Sequence, residues 1–162
     1  MSVSLAYKAE VGVTEVLSTN VPAGTDKTVT HTGYNTTKTL NGTSSPPATK
    51  VAAFEQALTG GAATIDLSAL VGTNGATVVG TGLRVQAVKF RGKSDNANPI
   101  TVAKGASNGY DGFGASFSIT LDPGAEVTIL PDDAGSDIGS GNKNLDVSGT
   151  GTQVLECIIV LG

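Results

Sequence analysis

Between residues 2 and 17, Val3, Leu5, Tyr7, Ala9, Val11 and Val13 take the odd positions, alternating with Ser4, Lys8, Glu10 and Gly12. This period of two predicts one or two half-buried strands. The same pattern recurs from 114 to 130, where Phe117, Ile119 and Leu121 share one face, Ser116, Ser118 and Thr120 the other, and Val127 and Ile129 resume the alternation. Asp122-Pro123-Gly124-Ala125 between them reads as a turn: Pro presets φ at the second position, and Gly accepts the positive φ that a type II turn needs at the third. A tight hairpin there would set Thr120 opposite Val127 and mix apolar with polar partners on each face. A longer loop would restore the match. A crossing from one sheet to another does so too and is the preferred reading, because it lets Phe117, Ile119 and Leu121 face Val127 and Ile129 across a core.

Elsewhere the pattern is uneven. Residues 18–49 are Thr-rich, carry Asn41-Gly42 and Ser45-Pro46-Pro47, and hold few large apolar residues beyond Val21, Val29, Tyr34 and Leu40. They read as a loop or arm with one edge strand near 27–32. Residues 50–58 are ambiguous, since Val51, Phe54 and Leu58 also fit a helical face; strand is preferred because everything downstream is β-like. Strands are further predicted at 63–70, 83–91, 100–103 and around Leu145 and Val147. The near-continuous apolar run 153–161 predicts a central strand buried on both faces. The expected fold is therefore all-β, a jelly-roll-like antiparallel sandwich of about nine or ten strands in a single domain. No fixed-period repeat points to a solenoid or propeller.

Composition fits this picture. The 162 residues suit one domain, with 22 glycines and only 15% charged residues. Thr, Ser, Asn and Gly must then cover the surface, as in many short strands joined by turns. A net charge of −4 gives no general footprint for nucleic acid. The lone Cys157 lies in an apolar run and is expected to pack as a small hydrophobe. No cationic start with an apolar core marks a signal peptide, and no stretch reaches membrane-span length, so a soluble chain made in the cytoplasm is expected.

Candidate chemistry is sparse. His31 is the only histidine and lies in the Thr-rich segment, where it reads as an ordinary exposed side chain; a Cys/His metal site is excluded by count. Two carboxylates could serve a glycosidase, but without Trp there is little to build a sugar platform. Asp132, Asp133 and Asp137 are hard ligands of the kind Ca²⁺ takes, yet match neither an EF-hand nor a nonapeptide Ca²⁺ repeat and read as a solvated turn. Gly80, Gly82 and the glycines of GASNGYDGFG fit turns, not a phosphate loop. Neither an enzyme nor a cofactor is expected. Lys89, Arg91 and Lys93 share a strand face opposite Phe90. They read either as a solvated edge or as a stripe that touches an acidic protein or a nucleic-acid backbone.

The segments ATIDLSALVGTNGATVVGTGLRVQAVKFRGKSDNANPITVAKGASNGYDGFG, FSITLDPGAEVTILPDD and KNLDVSGTGTQVLECIIVLG resemble small β-sandwich structural proteins of tailed bacteriophages, most closely capsid decoration (cement) proteins. The likeness spans residues 50–162 and carries no catalytic signature. It implies a jelly-roll-like sandwich on the outside of an icosahedral head, a homotrimer bridging major capsid protein subunits, with neither nucleic acid nor membrane as partner. No motif-level binding residues come with it, and 18–49 lies outside it. The polar arm could add a strand to a neighbour's sheet edge, so residues 2–49 are expected to include the shell or intersubunit contact. Two other classes stay open: a tail or fibre adhesin module for a host glycan or protein, and, more weakly, a carbohydrate-binding module.

Overall fold

In the computed structural model, which describes residues 2–17, 24–33, 35–131 and 135–162, the alternating stretches become strands and no helix forms among the described residues. The N-terminal strands are β1 (Ser4–Ala9), β2 (Val13–Leu17), β3 (Lys27–His31) and β4 (Thr36–Asn41). There follow β5 (Lys50–Ala57), β6 (Ala62–Asp66), β7 (Leu70–Val71), β8 (Thr77–Val78), β9 (Val85–Gly92) and β10 (Ile100–Lys104). Last come β11 (Ser118–Leu121), β12 (Glu126–Ile129), β13 (Asn144–Ser148) and β14 (Val154–Leu161).

Eight of them make a sandwich of two four-stranded antiparallel sheets, ordered β12-β9-β14-β5 and β11-β10-β13-β6. Within these sheets β5 lies beside β14, β6 beside β13, β9 beside β12 and β10 beside β11, as in one long ribbon folded double. The fold then closes by pairing β9 with β14 and β10 with β13. Fourteen strands thus stand among the described residues where about nine or ten were expected. Those without a counterpart in the expectation are β4 and the small β7–β8 hairpin.

Register carries the alternation into the core. Val127, Phe90, Cys157 and Phe54 align across one sheet, as do Ile129, Val88, Ile159 and Ala52. Opposite them lie Ile65, Ile100, Val102, Leu145 and Val147, all within one buried cluster. Tyr110 closes an end of that core, fully buried, with its hydroxyl accepting the Val85 N–H at 3.2 Å. The glycine-rich link that delivers it needs its glycines for close approach: a Cβ on Gly109 would lie 2.0 Å from the Gly105 carbonyl oxygen.

The corner at 122–126 is a crossing. β11 and β12 belong to different sheets, Thr120 pairs with Thr101 and Val127 with Phe90. Gly124 has φ +80°, and the Ala125 N–H donates to the Asp122 carbonyl at 2.9 Å, closing the expected turn. Residues 50–57 form a strand rather than a helix, and they pair with β14 along their whole length.

Two expectations need correction. β14 is central, but its outer face is only part covered: Val160 is buried, whereas Ile158 remains 46% exposed. Nor is 18–49 a loop with one edge strand. β3 lies where that strand was expected, but β4 is a strand as well, pairing with β1 as β3 pairs with β2. β1–β2 and β3–β4 are therefore the two sides of one long antiparallel ribbon. The sequence hid β4 because only Leu40 of TTKTLN is buried, leaving no apolar alternation to read. Residues 18–23, Tyr34, Asp132 and Asp133 lie outside the described residues.

Candidate functional site

The ribbon lies against the outer face of the β12-β9-β14-β5 sheet at its base and is free of it further out. At the base, Leu40 and Ala48 pack with Ala87 and Val160 in a second buried cluster, flanked by Val3, Leu5, Val51 and Leu130. Odd positions of β1 make this contact, which is why Val3, Leu5, Tyr7 and Ala9 are half-buried while Ser4, Ala6 and Lys8 are exposed. The ladder breaks at 10–12 and 32–35, where the Asn35 side chain accepts the Val11 N–H at 2.9 Å. Beyond the break the described side chains of β2 and β3 are exposed on both faces, apart from a half-buried Val29. Val11 is 73% exposed, Val13 52% and Val16 60%.

The structure brings Lys89, Arg91 and Lys93 together on the outer sheet face, but not as a bare basic stripe. Register sets Glu126, Arg91, Glu156 and Glu55 side by side across the four strands. Lys89 Nζ lies 2.8 Å from Glu126, Arg91 Nη1 3.3 Å from Glu156, and Lys93 Nζ 3.1 Å from Glu55. Three cations thus meet three carboxylates, and the patch is neutral. The Lys89 ammonium holds the Glu126 carboxyl below the ordinary glutamate range, and Glu55 holds the Lys93 ammonium above the ordinary lysine one. These pairs are substantially exposed and screened by solvent, so they set charge pattern more than stability. An acidic partner would have to displace all three carboxylates. Sequence reasoning missed Glu55, Glu126 and Glu156 because they come from three other strands.

Next to this charged row lies a mixed one: Thr128, the ion-paired Lys89, Ile158 and Ala53 align across the sheet, Ile158 and Ala53 being its apolar members. It borders the row Ala87–Val160–Val51 that the ribbon base covers. Between ribbon and sheet a groove opens, lined by Leu5, Tyr7, Lys89, Thr128, Ile158 and Val160 among others. Ile158 was hidden inside a uniformly apolar run, which gives burial but not which side chain is left bare.

The remaining candidates are tied up structurally. His31 Nε2 is 2.9 Å from Glu15 Oε1 on the exposed ribbon. Asp137 pairs with Arg84 at 2.7 Å, and no group of three or more His, Cys, Asp or Glu able to hold a metal occurs among the described residues. Cys157 is buried, which pushes its thiol up to about 12 and makes it an inert hydrophobe. Set against protein-family models, curated proteins and solved structures, the chain finds no match.

Proposed function

We propose that this chain is a virion structural protein, a decoration or cement protein that binds the major capsid protein on the outer surface of a tailed-phage head. It stabilises the shell, works as a homotrimer and assembles in the host cytoplasm. The observation that carries this reading is the ribbon: a firmly cored sandwich extends two paired strands whose described side chains beyond the break are exposed, apart from a half-buried Val29. A two-stranded ribbon is marginally stable alone. An ordered one with bare valines is therefore suited to completion by a neighbouring chain, through packing or through its free strand edges. The ribbon, rather than Lys89, Arg91 and Lys93, is assigned the contact, since those cations already have carboxylate partners. The strand order of the two sheets, with first beside last and second beside seventh, supports reading the sandwich as a jelly roll, an architecture common in capsid proteins.

The test trims the ribbon at its break. Replacing residues 13–31 with a short turn leaves β1, β4 and Leu40 in place, whereas cutting out 18–49 would remove Leu40 and Ala48 and open the sandwich face. The trimmed protein should keep its β circular dichroism and its unfolding transition, yet fail to bind undecorated heads in a sedimentation assay. Full binding by the folded, trimmed protein overturns the assignment. Copy number separates shell from tail: abundance comparable to that of the capsid protein fits a decoration protein. A handful of copies per particle would mean a tail or fibre adhesin instead.

A further inference from the structure

We infer that the ribbon's outer half has a specific seat on a second copy of this chain: the bare row of the outer sheet face around Ile158, beside that copy's own ribbon base. The molecule shows what this sheet face accepts. Its first row, Ala87, Val160 and Val51, already carries a two-stranded ribbon, held through Val3, Leu5 and Leu40. In the adjoining row, Thr128, Lys89, Ile158 and Ala53, Ile158 is exposed beside a half-buried Ala53 and the ion-paired Lys89, so an apolar spot next to that contact is left uncovered. The ribbon is unfinished in the same way. Its apolar stripe begins docked at Val3 and Leu5, and continues through Tyr7 and Ala9 to the exposed Val11 and Val13. Ala9, Val11 and Val13 line one concavity at the break, together with Thr30, His31 and Asn35.

One chain therefore carries both halves of an apolar contact, and its own ribbon leaves them apart. Dimensions agree. β2 and β3, with 5 residues each, reach about 16 Å, and four strands span about 14 Å between the outermost axes. Chemistry agrees as well: on the sheet Ile158 and Ala53 are bordered by the Glu126, Arg91, Glu156 and Glu55 row, and on the ribbon Val13 is bordered by Glu15 and His31. An apolar centre within a charged rim is the usual anatomy of a protein interface. Each copy gives one ribbon and receives one, so the assembly closes as a reciprocal pair or a larger ring, or continues as a chain. The inference concerns the isolated protein and stands whether or not the particle reading does.

The experiment uses the full chain in sedimentation velocity at tens of micromolar, without any particle. The wild type should sediment as an oligomer. V11D/V13D, with its ribbon spoiled, and I158D, with its seat spoiled, should each sediment as a monomer. Mixed in equal amounts they retain one good ribbon and one good seat, so they should form a heterodimer of twice the monomer mass and nothing larger. A monomeric wild type, an unchanged oligomer in either variant, or a mixture that stays monomeric overturns the inference. If either aspartate variant loses its β circular dichroism, V11S/V13S or I158T takes its place under the same outcomes.

Discussion

At the scale of single residues, Asp66 and Gln153 are polar side chains each held by several partners at once. Asp66 ends β6 at the rim of the core, where partial burial opposes its ionisation; the Lys143 ammonium at 2.6 Å and the Ser68 hydroxyl and N–H outweigh that cost, leaving its carboxyl below the ordinary aspartate value. A carboxyl with a depressed folded pKa adds stability that is present above its unfolded value near 3.8 and disappears as pH falls through the folded one. Asp66→Asn should therefore lower the urea midpoint at neutral pH. The gap from wild type should close as pH drops below about 4. Urea titrations across that range check it, and a gap independent of pH would mean that Asp66 acts through shape alone. Gln153 illustrates the same economy without charge: it is 6% exposed, and its amide bridges the Thr150 N–H and the Asn98 carbonyl oxygen.

At the scale of elements, two glycines separate backbone strain from steric exclusion. Gly124 turns the chain from one sheet to the other with φ +80°, and the nearest atom to an added Cβ is 3.8 Å away. Gly124→Ala thus meets conformational strain only and should cost about 1 kcal/mol. Gly109 has no positive φ, but its added Cβ would lie 2.0 Å from backbone oxygen in the loop that carries Tyr110 into the core. Gly109→Ala should cost several times more, and thermal unfolding of the two variants compares them; equal losses would refute the distinction. The corner was legible in the sequence because its two flanks alternate cleanly and a hairpin would have mismatched them. β9 and β14 were legible for the same reason, their apolar runs being long and bounded by turn residues. β4 and the two-residue strands β7 and β8 were not, since a strand that buries one side chain or none leaves no period. The charged patch was half legible: one strand showed its cations, whereas the carboxylates that neutralise them arrive from strands up to 65 residues away in sequence, as Glu156 and Arg91 show.

For the whole molecule, the presence of two separate buried clusters means that stability need not be shared evenly. The main core ties both sheets together through β9 and β14, whereas the ribbon is held by the smaller cluster of Leu40, Ala48, Ala87 and Val160. Leu40 is 3% exposed and is the largest of those four side chains. A buried Leu→Ala change costs about 2–5 kcal/mol when the structure must absorb the loss. Here it has an alternative, because the ribbon can leave the sheet face while the sandwich stays folded, so the loss is bounded by what docking the ribbon is worth. Leu40→Ala should accordingly speed amide hydrogen exchange in β1 and β4 to the rate of β2 and β3, which have no packing to slow them. Exchange in β9 and β14 should stay as in the wild type. If protection falls equally in all of these strands, ribbon and sandwich unfold as one unit and the ribbon is part of the core's cooperativity. A selective loss would instead mark the ribbon as a separately docked element, free to exchange its seat on the sheet for a contact with another chain.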